Sequence, residues 1–268
     1  AAILNADFRR AVYAAYSAHA VEAITLGEEH ADGVIRNTLV PYTFQTTSDG
    51  RTYGSIVEKY AAELVADYEG IDLNDGHDAW YNPELAKTFA ERAKEELGDS
   101  VSEWPIHIDV PVYAASENQK NMQPNEEVIE DAIGDYVVID LQFLEGNSSV
   151  YYSSFYNQPT GEDNSIDLVF GAGWGPDYGD PLTYLHCFDV HDGDMLNYSG
   201  INIESQGQSE EQKAVLETLG LNEVQEIVDQ ATAATGDERI ELFAKAEAML
   251  LTNGILRPYA NSGANISI

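Results

Sequence analysis

The sequence predicts an α/β protein with a mostly parallel sheet and covering helices. Residues 104–112 alternate apolar and polar side chains at period two, and residues 136–141 form a second short run rich in β-branched residues. Residues 125–133, between these two runs, have the spacing of a helix. A strand, helix, strand order is typical of two parallel strands joined by a right-handed crossover helix that covers the sheet.

Further helices are predicted from capping residues and from apolar residues three and four positions apart. Asn82 followed by Pro83 is a side-chain cap followed by proline at the first helical position. Residues 56–65, 224–231 and 235–250 show helical spacing. At the amino terminus, Asn5 or Asp7 can cap one continuous helix, whose buried face would hold Phe8, Ala11, Val12, Ala15, Tyr16 and His19.

A third apolar run, residues 166–170, predicts a buried strand, and the chain after it holds most of the candidate ligand contacts. We call residues 171–181 the glycine-rich segment, because Gly171, Gly173 and Gly175 exclude a regular element there. Loops that follow parallel strands gather at the ligand edge of the sheet, so this segment is the predicted binding site. A turn without ligand contacts is the alternative that composition leaves open. The aromatic and acidic side chains of the segment are Trp174, Asp177, Tyr178 and Asp180.

The charge of the chain narrows its possible partners. Its 268 residues include 47 acidic and 13 basic side chains, which gives a formal net charge of −34. Such a surface repels phosphate groups and anionic lipids, so we expect neither nucleic acid nor a membrane surface as a partner. The single cysteine, Cys187, excludes an internal disulfide. No apolar run is long enough to cross a bilayer, and no signal peptide or lipid-attachment cysteine is present near Ala1.

Several motifs resemble one family of transport proteins. Residues 173–181 read Gly-Trp-Gly-Pro-Asp-Tyr-x-Asp-Pro and are followed by Thr183-Tyr184-Leu185. This motif resembles the signature of bacterial oligopeptide-binding proteins, the substrate-binding subunits of peptide ABC importers. The similarity is strongest to their Gram-positive lipoprotein members and extends from Asp7 to Tyr259. It includes Asn-x-x-Val-Pro at 37–41, Pro-Ile-His-x-Asp-x-Pro-Val at 105–112 and Arg-x-x-Leu-Phe-x-x-Ala-Glu at 239–247.

The resemblance implies a fold and an activity. It implies that residues 1–268 form a single α/β lobe, the carboxy-terminal peptide-binding lobe of a two-lobed periplasmic-binding-protein-like fold. The longer protein would be an extracellular lipid-anchored or periplasmic protein that captures extended peptides between its lobes and delivers them to a permease. It would be a monomer and not an enzyme, and it would need no cofactor or metal.

The resemblance also implies roles for individual residues. Asp177 would pair with the α-ammonium of the peptide, and Trp174 would pack against the peptide. Gly173, Gly175 and Tyr178 would complete the ligand-binding set. Some enteric members carry an arginine that meets the carboxylate of a short peptide; Gly171 occupies that position here, so recognition of the peptide carboxy terminus is not expected at this point.

Other readings stay open on sequence alone. A solute-binding protein for a sugar or a nickel complex is one alternative, and a carbohydrate-active enzyme that uses Asp177 and Asp180 as its two carboxylates is another. A calcium loop around Gly76 and a zinc site are disfavoured, because neither has the ligand spacing that these metals need. The residues concerned are Asp72, Asn74, Asp75 and Asp78 for calcium, and His186, Cys187 and His191 for zinc.

Overall fold

The computed structural model describes residues 1–114 and 123–261. Within these residues, four α-helices precede the first of two strands, one lies between the strands and six follow the second, with short 3₁₀ turns between several of them. The two strands are β1 (Ile106–Tyr113) and β2 (Val137–Leu144). The α-helices are α1 (Ala6–Ala15), α2 (Ala18–Leu26), α3 (Tyr53–Leu64), α4 (Pro83–Leu97), α5 (Gln123–Ile133), α6 (Ser148–Tyr152), α7 (Leu182–Leu185), α8 (Met195–Tyr198), α9 (Glu210–Thr218), α10 (Leu221–Ala233) and α11 (Gly236–Thr252).

The predicted parallel pair is confirmed. Strands β1 and β2 run parallel, in a register that pairs Ile106 with Val137 and Tyr113 with Leu144. Helix α5 lies between the two strands in sequence, and its Ile129 and Ile133 are fully buried. The inward side chains of the pair are buried as well, which explains the period-two alternation in the sequence. The α/β class is therefore confirmed, although the described residues form a sheet of only two strands.

The buried strand predicted at residues 166–170 is wrong. This stretch has no regular structure and is partly exposed. In the part of the chain that the structure describes, it forms hydrogen bonds with the outer edge of β1 at Asp109, whose carbonyl accepts from the N–H groups of Asp167 (2.9 Å) and Leu168 (3.3 Å). The side chain of Asp167 accepts the Asp109 N–H at 3.0 Å. Because a carboxylate occupies the donor that a third strand would use, the ladder ends there.

The continuous amino-terminal helix is also wrong. Asn5 caps α1 as predicted by accepting the Phe8 N–H at 2.9 Å, but the helix ends at Ala15. Ser17 then starts α2 by accepting the Ala20 N–H at 3.1 Å. A serine side chain prefers a cap to the interior of a helix, and this preference outweighs the apolar spacing.

Helix α11 forms the centre of the core. Its buried residues include Phe243, Glu247 and Leu250, and it packs against α3 and α10. The carboxy-terminal end of α11 is held by α1, because Arg9 donates to the carbonyl of Asn253 (2.8 Å) and Arg10 donates to that of Thr252 (2.7 Å). Both contacts satisfy carbonyls at the helix end and place positive charge near the negative end of the helix dipole. The cap predicted at Asn82-Pro83 is confirmed, since the Asn82 side chain accepts the Leu85 N–H at the start of α4. The helix predicted over residues 235–250 is confirmed as α11, but the Thr235 side chain makes no capping hydrogen bond.

Within residues 1–114 and 123–261, none of the helices has the length and apolar character needed to cross a bilayer.

The net charge of −34 leads to a prediction about salt. Raising NaCl from about 0.1 M to about 1 M shortens the Debye length from about 10 Å to about 3 Å and weakens the mutual repulsion of the surface carboxylates. We expect a gain in the free energy of unfolding of about 1–3 kcal/mol, or about 2–4 °C in Tm for each kcal/mol. Calorimetry in the two buffers measures the shift in Tm. At the sequence pI of about 4.1 the gain should vanish. An unchanged Tm at pH 7 would contradict the prediction.

Candidate functional site

The glycine-rich segment lies on the surface between Phe170 and α7. Most of its residues are exposed, and Tyr178 has 51% of its surface open to solvent. Phe170 stacks on Tyr16, with ring centroids 5.5 Å apart and an angle of 19° between the rings. This contact anchors the start of the segment to the end of α1. The segment therefore presents its side chains from a fixed base.

Trp174 is held in one orientation. Its indole Nε1 donates a hydrogen bond of 2.7 Å to the main-chain carbonyl of Thr183. The ring lies 6.2 Å from that of His186, at an angle of 40°, and it packs partly against the hydrophobic core. The side chain is half-buried, so part of the indole stays open to solvent. An aromatic surface fixed in this way can pack against a ligand with little loss of conformational entropy.

Asp177 combines a fixed main chain with an available side chain. Its N–H donates to the Thr183 hydroxyl oxygen Oγ1 at 2.9 Å. Asp177 is exposed, and within residues 1–114 and 123–261 its carboxylate has neither a hydrogen bond nor an ion pair. The Asp177 charge also acts on a buried group. Burial raises the pKa of the Cys187 thiol to about 12, and the negative charges of Asp194 and Asp177 contribute smaller increases. The Asp177 carboxylate is available for a cationic ligand.

The glycines of the glycine-rich segment differ in their backbone conformation. In the glycine-rich segment, only Gly171 has a positive φ, at 79°. At Gly173 and Gly175 an added Cβ would have no heavy atom within 4 Å. These two glycines are therefore not required by a turn, and their missing side chains leave open surface on both sides of Trp174. Whether that surface contacts a ligand stays a prediction.

Asp180 has a different role from Asp177. It caps the turn before α7, since its Oδ1 accepts the Leu182 N–H at 3.0 Å. Its two carboxylate oxygens also receive hydrogen bonds from Nη2 of Arg239 at 3.0 and 3.1 Å, and Nε of Arg239 donates to Oδ2 at 3.2 Å. This ion pair joins the end of the glycine-rich segment to the first turn of α11. Since the Arg239 guanidinium pairs with Asp180, this residue is not a second free carboxylate beside Asp177 of the kind that a glycosidase reaction needs.

Sequence reasoning missed Arg239 and Thr183 as parts of this site. Arg239 lies 59 residues from Asp180, and no local pattern connects the two. Thr183 is 2% exposed and accepts from both Trp174 and Asp177. Thr183 lies two residues after the end of the glycine-rich segment, and this position was the only signal that the sequence offered.

The residues considered for calcium and for zinc do not form a metal-binding group in the described part of the chain. No group of three or more His, Cys, Asp or Glu side chains with metal-binding geometry occurs among residues 1–114 and 123–261. The Asp72 carboxylate accepts hydrogen bonds from Asn74, and the His191 Nδ1 contacts Glu204 at 2.9 Å. Cys187 is buried, and its raised pKa keeps the thiol protonated.

The curated proteins and the solved structures that are similar to this chain are both peptide-binding proteins by name. No protein-family model matches the chain. The oligopeptide-binding protein AliB of Streptococcus pneumoniae serotype 4 is 32% identical over 270 residues, which is 100% of this chain and 40% of AliB. The chain thus spans about two fifths of the length of the curated relatives it matches.

Two solved structures share the fold. A structure of OppA from Listeria monocytogenes bound to peptide matches with a TM-score of 0.61 and 18% identity, over 97% of this chain and 40% of that one. A structure described as the peptide-binding protein of a peptide ABC transporter matches with a TM-score of 0.61 and 21% identity, over 96% of this chain and 91% of that one. A solved chain of nearly the same extent therefore has this fold. By sequence and by fold, the chain is related along its whole length to the bacterial oligopeptide-binding proteins.

Proposed function

We propose that this chain is one lobe of the substrate-binding component of an oligopeptide ABC importer. It supplies one wall of a cleft that closes on an extended peptide, and the glycine-rich segment supplies the contacts to the amino terminus of the peptide. The observation that carries this proposal is the Asp177 carboxylate: it is exposed, has no partner among the described residues, and lies on a main chain anchored by Thr183. The relationship to AliB and the fold shared with peptide-bound OppA support the choice of ligand.

The physical chemistry of a peptide terminus fits this site. An α-ammonium loses water when the cleft closes and needs a charged acceptor in compensation. Asp177 supplies that acceptor, and the half-buried indole of Trp174 supplies a packing surface a few residues away. The main chain beside Gly173 and Gly175 is open, which lets an extended peptide approach closely.

The proposal extends to the longer protein of which this chain would be a part. The longer protein works as a monomer on the outer face of the cell membrane, held by a lipid anchor, or in the periplasm. It passes peptides to the permease subunits and performs no catalysis. The curated relatives carry the name oligopeptide-binding protein, which supports a binding role.

A binding assay on the chain tests the proposal. We expect the 268-residue chain to bind an alanine pentapeptide weakly, and far more weakly than a two-lobed protein that includes it, because one wall leaves half of the ligand in water. NMR titration at millimolar peptide measures the isolated chain, and calorimetry measures the two-lobed protein.

Maltopentaose and nickel chloride serve as comparison ligands. Binding of either one more tightly than the peptide would contradict the proposal and favour another class of solute-binding protein. Comparable peptide affinity for the isolated chain and the two-lobed protein would contradict the two-wall account.

A further inference from the structure

The glycine-rich segment has no regular secondary structure, so specific contacts must fix its shape. Two of them converge on one residue of α7. The Trp174 indole N–H donates to the Thr183 carbonyl at 2.7 Å, and the Asp177 N–H donates to the Thr183 hydroxyl oxygen at 2.9 Å. Thr183 therefore sets the positions of both side chains that the proposed function assigns to the ligand.

Thr183 is itself held firmly. It is 2% exposed and lies in the first turn of α7. Its N–H donates to the Asp180 carbonyl at 3.1 Å, and the Asp180 carboxylate accepts the Leu182 N–H. The start of α7 thus has its free N–H groups satisfied by the end of the glycine-rich segment.

The ion pair between Asp180 and Arg239 extends this support to the core. Nη1 of Arg239 donates to the carbonyls of Ala231 (2.7 Å) and Thr232 (3.1 Å) at the end of α10, and its guanidinium lies over the ring of Phe243 at 4.7 Å. A series of contacts therefore connects α10 and α11 through Asp180 to Thr183. Thr183 is the last residue of this series before the ligand-binding side chains.

We infer that Thr183 is a positioning residue for recognition of the peptide amino terminus. Its hydroxyl holds the Asp177 main chain so that the carboxylate stays on the ligand-facing side of the glycine-rich segment. This inference rests on the proposed function. It assigns the role to the hydroxyl group, because the Thr183 carbonyl that holds Trp174 would be present with any side chain.

The test compares Thr183→Val, which keeps the shape and removes the hydroxyl, with Thr183→Ser, which keeps the hydroxyl. Both variants are made in the 268-residue chain and titrated by NMR with an alanine pentapeptide and with its N-acetylated form. We expect Thr183→Val to weaken the free-amino peptide about threefold and to leave the acetylated peptide unchanged. Thr183→Ser should restore the wild-type preference. Amide hydrogen exchange at Asp177 should be about tenfold faster in Thr183→Val, with or without peptide.

The outcomes separate the inference from the proposed function. Equal weakening of both peptides by Thr183→Val would show a general structural role and overturn the inference. An unchanged preference for the free amino terminus, or unchanged Asp177 exchange, would overturn it as well. If the wild-type chain binds neither peptide while Asp177 exchange responds to Thr183→Val, the contact is real and the proposed function is wrong, so its role toward a peptide falls with it.

Discussion

Replacing Glu247 by leucine is expected to lower the free energy of unfolding at pH 5 by about 3–5 kcal/mol. Glu247 is fully buried on α11, and its carboxyl group accepts hydrogen bonds from the N–H groups of Leu39 (2.6 Å) and Val40 (3.2 Å) and from the Tyr53 hydroxyl (3.0 Å). Leucine leaves all three donors buried without an acceptor, and each such donor costs about 1–3 kcal/mol. Urea denaturation of the two proteins measures the difference.

The same side chain makes the effect depend on pH. Burial raises the pKa of Glu247 to about 7, although the hydrogen bonds from Leu39, Val40 and Tyr53 act in the opposite direction. A carboxyl group with a raised folded-state pKa favours folding while it is protonated and loses that contribution as the pH rises through about 7. The difference in free energy of unfolding between the unchanged protein and Glu247→Leu should therefore become about 2–3 kcal/mol smaller between about pH 5 and about pH 8.

Glu241→Leu on the same helix is the matched control. Glu241 is partly exposed, and it pairs with Arg51 at 2.7 Å and accepts from the Tyr60 hydroxyl. Exposed pairs of this kind contribute about 0–1 kcal/mol, so the control should lose little stability. Equal losses for the two variants, or a Glu247→Leu deficit that does not change with pH, would disprove the account of Glu247.

Local signals in the sequence were sufficient for most of the secondary structure. The cap at Asn82, the alternation in β1 and the spacing in α3 all reflect interactions between residues close in sequence, and the structure confirms each of them. The strand predicted at 166–170 was wrong because the decisive contact is a hydrogen bond from Asp109 to the side chain of Asp167, 58 residues away. Apolar composition does not report which groups occupy a strand edge.

The supporting residues of the site and the core were beyond sequence reasoning for the same reason. A glutamate in a helix is normally exposed, yet Glu247 serves main-chain donors that lie more than 200 residues earlier in the chain. Arg239 matched a family motif but gave no indication that it would bind Asp180. The glycine-rich segment itself was recognisable, since aromatic and acidic residues among glycines and prolines indicate a ligand-binding loop.

Replacing Asp177 by asparagine is expected to weaken binding of free-amino peptides by about two to three orders of magnitude in a two-lobed protein that contains this chain. The carboxylate is unpartnered in the part of the chain that the structure describes, and closure of the cleft would place it against an ammonium that has lost its water. Removing one member of such a buried charge pair costs about 3–5 kcal/mol, because the remaining charge is left without compensation. Asparagine keeps the size of the side chain. It also keeps the main-chain N–H at residue 177, which donates a hydrogen bond to the Thr183 hydroxyl. Calorimetry with an alanine pentapeptide and its N-acetylated form measures the effect, and the acetylated peptide, which has no positively charged amino terminus, should lose far less affinity.

Asp192→Asn, an identical change of charge at an exposed position outside the glycine-rich segment, is the control and should leave both affinities unchanged. Asp180→Asn is unsuitable as a silent control, because it breaks the ion pair with Arg239 and should weaken both peptides together. Wild-type affinity of Asp177→Asn for both peptides would refute the assignment of Asp177, and the ammonium would then have to be bound elsewhere in the cleft.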